Sequence, residues 1–155
     1  MNTAERLVAL LAERRMTCAT AESCTGGGIG AAITAVPGSS AVYAGGVVSY
    51  SNKVKHGVLG VREETLASVG AVSSETACEM AAGARRLLGV DVAVSVTGIA
   101  GPGGGSEEKP VGLVWFGLAD SKGVRSESRL FRGDRGEVRA QAVGHALAMM
   151  VEAVS

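Results

Sequence analysis

Two neighbouring serines, a tyrosine and a lysine are the first residues whose types and spacing could do chemistry. Ser39 and Ser40 lie in a Gly-containing turn after Pro37, which leaves one hydroxyl exposed at the start of a predicted strand. Tyr50 closes that strand, and Lys53 lies one helical turn beyond it. A lysine beside a tyrosine favours the phenolate, which can accept the proton of a serine hydroxyl. The spacing fits a serine nucleophile that needs no histidine, and it equally fits an ordinary surface turn before a strand-to-helix junction.

A glycine-rich turn after the first predicted strand is the second candidate. The segment Thr25–Ala31 matches the dinucleotide fingerprint G-x-G-x-x-G/A between a strand and a helix. A Rossmann site also needs an acidic residue about 20 positions later, but no Asp or Glu occurs between Glu22 and Glu63. We therefore expect no cofactor. Amide groups at a helix start suit a phosphate or another anion, and a tight turn that only packs the helix on the sheet is the alternative. The residues expected to contact such an anion are Ser23 and Thr25, through their hydroxyls.

A second glycine-rich segment, Thr97–Pro110, follows the most apolar predicted strand. Proteins of the α/β class place ligand sites beyond the carboxyl ends of their strands. The segment lacks the G-K-[ST] ending of a P-loop, so nucleoside triphosphate hydrolysis is not indicated. We expect Gly103–Glu108 to form a mobile lid. The residues expected to contact substrate are Thr97, Gly98 and Gly101.

The elements that position these segments follow from hydrophobic periodicity and capping signals. The predicted strands are Thr17–Glu22, Val42–Tyr50, Asp91–Thr97, Val111–Ala119 and Val124–Arg132. The predicted helices are one capped by Thr3, one after the first glycine-rich turn, short ones over Asn52–Val58 and Arg62–Val69, one capped by Ser73 or Ser74 and ended by Gly89, and one begun by a capping box of Asp134 and Glu137. This pattern predicts a single α/β domain over residues 1–155, with three α/β/α layers, a mixed sheet and a C-terminal antiparallel hairpin.

Composition narrows the partners and the compartment. The chain carries 15 Lys plus Arg and 15 Asp plus Glu, so no global basic field points to nucleic acid. The three cysteines, Cys18, Cys24 and Cys78, show no C-x-x-C spacing, which favours a reducing, cytoplasmic setting. No secretory signal or membrane-spanning apolar run is present. His56 and His145 form no metal-binding motif, so no metal is expected.

Several ordered motifs closely resemble the nicotinamide-nucleotide amidohydrolases, a family also known as PncC or the C-terminal domain of CinA. The motifs are T-A-E-S-C-T-G-G at 20–27, G-S-S-A at 38–41, Y-S-N-K at 50–53, G-A-V-S at 70–73, S-V-T-G-I-A-G-P at 95–102 and G-S-E-E-K-P-V-G at 105–112. The resemblance implies hydrolysis of nicotinamide mononucleotide to nicotinic acid mononucleotide and ammonia. It implies that forms without the N-terminal domain of full-length CinA act as amidases alone.

The same resemblance implies roles for individual residues. Ser40 would be the nucleophile, and Tyr50 and Lys53 would activate it. The substrate-binding residues would be Ser23, Thr25, Gly26, Ser39, Asn52, Thr97, Gly98, Gly101 and Arg135. The guanidinium of Arg135 suits a phosphate, although a surface charge near a helix start is an equal alternative. Similar proteins are usually homodimers, and the expected partner is the small nucleotide substrate rather than nucleic acid or membrane.

Three rival functions can be separated by experiment or by spacing. Cys24 at a helix start could serve a thiol amidase, because helix N-termini favour the thiolate. A short-chain dehydrogenase is excluded, since that class needs Y-x-x-x-K and position 54 is Val54. A non-catalytic nucleotide-binding or adaptor domain in competence or DNA damage response would bind nucleotide without releasing ammonia.

Overall fold

A five-stranded mixed sheet in the order β2-β1-β3-β4-β5 forms the centre of the molecule. The computed structural model describes residues 1–155. The strands are β1 (Cys18–Glu22), β2 (Tyr43–Val48), β3 (Val92–Gly98), β4 (Leu113–Asp120) and β5 (Gly123–Leu130). Strand β1 runs parallel to both β2 and β3, whereas β4 and β5 form an antiparallel hairpin that pairs antiparallel to β3. The predicted mixed sheet with its C-terminal hairpin is confirmed.

Six α-helices cover the two faces of this sheet. They are α1 (Thr3–Arg14), α2 (Gly28–Thr34), α3 (Asn52–Gly57), α4 (Glu63–Ser68), α5 (Ser74–Leu88) and α6 (Arg135–Val154). Helices α1, α2 and α6 pack together on one face, and α5 packs on the other. The predicted three-layer α/β/α arrangement is therefore confirmed. None of the helices combines the length and apolar character that crossing a bilayer requires.

The alternation of side chains along β1 divides the core into two clusters. Cys18 faces the larger cluster, which is built from α1, α2, α6 and the inner strands. Ala19 and Ala21 face the smaller cluster beneath α5. Because successive side chains of a strand point to opposite faces, every residue of β1 is buried by one layer of helices or the other.

Two capping predictions are refined by the structure. Asn2, not Thr3, caps α1, because its side-chain oxygen accepts from the amide of Glu5. Ser73 caps α5 by accepting from the amide of Thr76. The predicted capping box of α6 forms as expected and gives that helix a fixed first turn.

The parallel strands end at one level, which defines the edge where a site can form. In the register of the sheet, Glu22 at the end of β1 lies beside Val48 of β2 and Val96 of β3. The predicted strand Val42–Tyr50 ended at Tyr50, but β2 ends at Val48, so Tyr50 lies beyond the strand. Strand β1 lies between β2 and β3, so the segments that follow the three strand ends emerge side by side at this edge.

Candidate active site

A cavity of about 290 Å³ opens at the carboxyl edge of the three parallel strands. Its walls come from the segments that follow β1, β2 and β3, from the linker before α5, and from the first turn of α6. This is the position at which doubly wound α/β folds bind ligands. The lining residues are Ser23, Cys24, Tyr50, Asn52, Lys55, Ala71, Val72, Thr97–Gly101, Gly103, Gly104 and Arg135.

Ser23 and Lys55 meet at the inner end of the cavity. Ser23 is the first residue after β1, and its amide donates to the carbonyl of Val96, which holds it against β3. Lys55 comes from α3, and only 1% of its surface is exposed. Its Nζ lies 3.0 Å from Ser23 Oγ, within hydrogen-bond reach. The two side chains therefore form a buried serine–lysine pair.

The surroundings of Lys55 destabilise the charged form of its amine. Burial lowers the pKa of Lys55 below the ordinary lysine value. Its two other hydrogen bonds go to the carbonyl oxygens of Ser49, at 2.8 Å, and Tyr50, at 3.0 Å, so no carboxylate compensates its charge. A neutral amine has two N–H groups and one lone pair. With two positions of Nζ directed at carbonyls, the third is directed at Ser23 Oγ, so a neutral Lys55 would have its lone pair there and could accept the Ser23 proton.

Glu22, the last residue of β1, holds the turn that follows this strand through hydrogen bonds. This carboxylate is 2% exposed and accepts from the Thr25 hydroxyl at 2.6 Å and from the amides of Ile29 and Gly30 at 2.8 and 3.0 Å. The first turn of α2 thus already holds an anion that belongs to the protein. The amides that were expected to bind a phosphate there are used by Glu22, and neither Thr25 nor Gly26 lines the cavity.

Arg135 forms the opposite wall. Its Nη1 donates to the carbonyl of Gly101 at 2.8 Å, and its Nη2 donates to the Tyr50 hydroxyl at 3.2 Å. The guanidinium therefore bridges the segments after β3 and β2 and places a permanent positive charge at the cavity mouth. Tyr50 is 61% exposed there, so its ring forms part of the rim.

The predicted Ser40, Tyr50 and Lys53 relay does not form in the structure. Ser39 and Ser40 lie in a short 3-10 helix at the amino end of β2, whereas Tyr50 lies beyond the carboxyl end. A six-residue strand spans about 20 Å, so the Ser40 hydroxyl and the Tyr50 phenol are at opposite edges of the sheet. Lys53 lines a separate groove with His56 and Glu63.

The segment after β3 supplies the third wall as expected. Thr97 donates its hydroxyl to the carbonyl of Ala71 at 2.9 Å, which brings the linker before α5 to the cavity. Gly98 is required where the chain turns against β4, because a Cβ there would overlap Val114 and the carbonyl of Leu113. Gly103 and Gly104 line the mouth, and the lid function of Gly103–Glu108 stays a prediction.

The cysteine and histidine positions do not form a reactive pair. Burial raises the pKa of the Cys24 thiol to about 11, although the Arg139 and Lys55 charges oppose this effect. A thiol of that acidity is protonated at neutral pH, which weighs against a thiolate nucleophile. His56 and His145 contact Glu63 and Glu127, respectively, outside the cavity. No group of three or more His, Cys, Asp and Glu side chains lies together as a metal site would require.

Comparison with known proteins identifies the family to which this chain belongs. The family model for the CinA C-terminal domain matches residues 1–154. The chain belongs to the CinA C-terminal domain family. Nicotinamide-nucleotide amidohydrolase PncC of Escherichia coli K12 is 51% identical over 148 residues, covering 95% of this chain and 90% of that protein. A competence-damage inducible protein of Halothermothrix orenii is 57% identical over 131 residues, covering 84% of this chain and 32% of that longer protein.

Solved structures share this CinA C-terminal domain fold throughout. A competence/damage inducible protein from Agrobacterium tumefaciens superposes with a TM-score of 0.94 at 45% identity, over 97% of this chain and 92% of that chain. A CinA superfamily protein from Klebsiella pneumoniae gives the same TM-score at 40% identity, over 99% and 98% of the two chains. Both superpositions cover nearly the whole of this chain.

Lys55 is a cavity residue of this CinA C-terminal domain that sequence reasoning missed. Local spacing drew attention to Lys53 instead. The sequence did point to Ser23, because that residue directly follows a predicted strand and ligand sites lie beyond the carboxyl ends of strands. The same rule pointed to Thr97. Nothing in local spacing identifies Lys55 as its partner, because the two residues are 32 positions apart.

Proposed function

We propose that this chain hydrolyses the carboxamide of nicotinamide mononucleotide, releasing nicotinic acid mononucleotide and ammonia, with Ser23 as nucleophile and Lys55 as general base. The observation that carries the proposal is the buried contact of 3.0 Å between Lys55 Nζ and Ser23 Oγ in the cavity. The substrate class is supported by the name of the Escherichia coli relative at 51% identity. Fold alone would not indicate a substrate.

The proposed reaction begins with proton transfer from the Ser23 hydroxyl to the neutral Lys55 amine. Ser23 Oγ adds to the carboxamide carbon, and the carbonyl electron pair moves to oxygen as an oxyanion. When the tetrahedral species collapses, the protonated Lys55 gives its proton to the leaving ammonia, and an acyl-serine remains. A water molecule then attacks the acyl-serine with Lys55 again accepting a proton. The product acid leaves, and Ser23 regains its hydroxyl.

The other cavity residues suit the remainder of a mononucleotide. Arg135 places a guanidinium at the mouth, where it can bind the phosphate bidentately. Thr97, Gly98 and Gly101 form one wall, and Asn52 with Tyr50 forms another. Thr25 and Gly26 act in this proposal by shaping the turn that carries Ser23, while Ser39 and Lys53 have no place in it. The steps require neither a metal ion nor a redox cofactor.

The first prediction compares the two candidate serines. Ser23→Ala removes the proposed nucleophile, so ammonia release from nicotinamide mononucleotide should fall by at least about a thousandfold. Ser40→Ala should retain the wild-type rate, because Ser40 lies at the far edge of the sheet. Ammonia release is measured for both variants and the wild type, with the riboside as a substrate that lacks the phosphate.

The outcomes of that comparison separate the alternatives. Full activity in Ser23→Ala with loss in Ser40→Ala would overturn the serine–lysine assignment. Nucleotide binding by the wild type without any ammonia release would favour the non-catalytic nucleotide-binding or adaptor domain. Equal kcat/KM for the riboside and the mononucleotide would argue against phosphate binding by Arg135.

A further inference from the structure

The peptide that joins Cys24 to Thr25 lies next to the proposed nucleophile and carries an unused donor. Thr25 is 1% exposed, yet its amide donates to no carbonyl or side chain of the protein. Its hydroxyl, in contrast, is satisfied by Glu22. Buried amide groups without a partner are rare in folded proteins. The free Thr25 amide is therefore a donor available to a ligand.

Arg139 holds the other side of this peptide. From the second turn of α6, its Nε donates to the carbonyl of Cys24 at 3.1 Å, and its Nη2 donates to the carbonyl of Thr25, also at 3.1 Å. In a trans peptide the N–H points opposite to the C=O. The amide of Thr25 therefore points away from Arg139. Cys24, which shares this peptide with Thr25, lines the cavity, and Arg139 does not.

We infer that the Thr25 amide donates to the oxyanion formed when Ser23 attacks the carboxamide, and that Arg139 is the positioning residue for this peptide. The inference rests on the proposed function and adds the group that stabilises its intermediate. A donor fixed in advance where negative charge develops lowers the barrier, because no reorganisation is needed at the moment of reaction. The cationic hydrogen bond to the Cys24 carbonyl also polarises the peptide and strengthens its N–H as a donor.

Arg135 and Arg139 of α6 have different roles in this proposal, the first in substrate binding and the second in positioning the peptide. Arg135 contacts the cavity mouth, and Arg139, one turn later, contacts only the turn behind the nucleophile. Much of Arg139 is exposed, so replacing it opens no hole in the core. The capping box of Asp134 and Glu137 fixes the helix start whichever side chain stands at position 139. A loss of turnover in Arg139 variants would therefore reflect the peptide rather than unfolding.

The test uses Arg139→Met, which keeps the length of the side chain but removes its charge, and Arg139→Lys, which can reach one carbonyl instead of two. We expect kcat to fall about tenfold to hundredfold in Arg139→Met, with an intermediate value for Arg139→Lys and KM within about twofold. Arg129→Met is the matched control, because Arg129 pairs with Glu127 on β5 and should leave kcat unchanged. Wild-type kcat in Arg139→Met would overturn the inference.

A second measurement distinguishes the oxyanion role from a structural one. The nucleotide that carries an aldehyde in place of the carboxamide adds Ser23 Oγ to its carbonyl carbon and forms a hemiacetal oxygen at the oxyanion position. Its affinity should fall in proportion to kcat/KM across the Arg139 variants, while the affinity of the product acid stays constant. Parallel losses for the aldehyde and the product acid would overturn the inference, since both would then report a distorted cavity.

Failure of the proposed function is recognised separately by labelling Ser23 with a fluorophosphonate. In that reaction Ser23 Oγ bonds to phosphorus, fluoride leaves and Lys55 takes the hydroxyl proton, so no nucleotide is needed. If the wild type releases no ammonia but Ser23 is labelled, slower labelling of Arg139→Met supports the inference and an equal rate overturns it. Absence of labelling in the wild type also overturns it, because no nucleophile would then exist for the amide to serve.

Discussion

Lys55 shows how burial lowers the pKa of a lysine side chain. The side chain is 1% exposed, and its three hydrogen-bond partners are a hydroxyl and two carbonyl oxygens, none of them charged. An uncompensated ammonium is costly in such a place, so the equilibrium moves toward the neutral amine and the pKa of Lys55 falls. Lys53, two residues away, is exposed and keeps no such contact with the cavity. Residue type alone does not distinguish these two lysines.

The lowered pKa of Lys55 predicts the pH dependence of the reaction. Only the neutral amine accepts the Ser23 proton, so kcat/KM should rise with pH through the pKa of Lys55, at a pH below the usual lysine range of about 10.4. Lys55→Arg should lose at least about a hundredfold in kcat at every accessible pH, because arginine stays protonated. Lys53→Met is the comparison, and it should keep both the rate and the pH profile. An unchanged profile in Lys55→Arg would contradict the assignment.

At the level of elements, Glu22 joins the end of β1 to the start of α2. Gly27, the residue before α2, has no side chain to cap the helix, and Glu22 accepts the free amides of Ile29 and Gly30 instead. The same carboxylate holds the Thr25 hydroxyl. One buried side chain at the end of the strand therefore holds both the turn and the start of the helix. In the sequence this turn resembles an anion site, and the anion proves to be part of the chain.

Replacing that carboxylate with an amide should weaken the junction. Glu22→Gln keeps the size of the side chain, but its NH2 group would face donors, so at least one buried hydrogen bond is lost. We expect the free energy of unfolding to fall by about 1–3 kcal/mol, measured by urea denaturation. Glu13→Gln, at an exposed position of α1, is the control. Equal stability of the two variants would show that Glu22 does not hold the turn.

At the scale of the whole molecule, close approach between layers keeps the cavity wall in place. Gly117 of β4 lies beneath α5, where a Cβ would overlap the carbonyl of Ala77 and the Ser95 hydroxyl. Helix α5 follows the linker that forms part of the cavity wall. Small residues between sheet and helix thus allow the linker to reach Thr97.

Two glycine substitutions test this packing against helix propensity. Gly117→Ala should destabilise the protein by about 1–3 kcal/mol, because the added methyl meets fixed backbone. Gly144→Ala, at an exposed position of α6 with open space around it, should stabilise by roughly 0.5–1 kcal/mol through helix propensity. Thermal unfolding of both variants against the wild type measures the difference. Stabilisation by Gly117→Ala would mean that β4 and α5 are less closely packed.

Assembly and location are properties of the whole molecule that stay predictions. The homodimer was expected from resemblance to the family, and light scattering of the purified chain measures it directly. The cytoplasmic location was expected from three unpaired cysteines, Cys18, Cys24 and Cys78, and all three are free in the structure. The chain spans 32% of the Halothermothrix orenii relative, so activities of such longer proteins remain proposals for it.

The sequence by itself determined the elements, the layers and the family. Local signals suffice for these, because a helix cap such as Asp134, a hairpin or a buried strand depends on neighbouring residues and on periodicity. Local signals also indicated the segments after β1 and β3 as candidates for ligand binding, and residues of both segments line the cavity. The capping box and the three-layer α/β/α arrangement were predicted from these local signals without any knowledge of distant contacts.

Only the tertiary structure decided which side chains meet. Ser23, Lys55, Thr97 and Arg135 are far apart in sequence and become neighbours because β1, β2 and β3 end at one level beneath α6. Ser40 and Tyr50 are close in sequence, yet a full strand separates them. Parallel pairing brings the carboxyl ends of neighbouring strands together. The two ends of one strand stay apart because the strand is extended. Sequence spacing therefore suggested a relay of Ser40, Tyr50 and Lys53 that the structure does not bring together, whereas the strand ends place Ser23 beside Lys55.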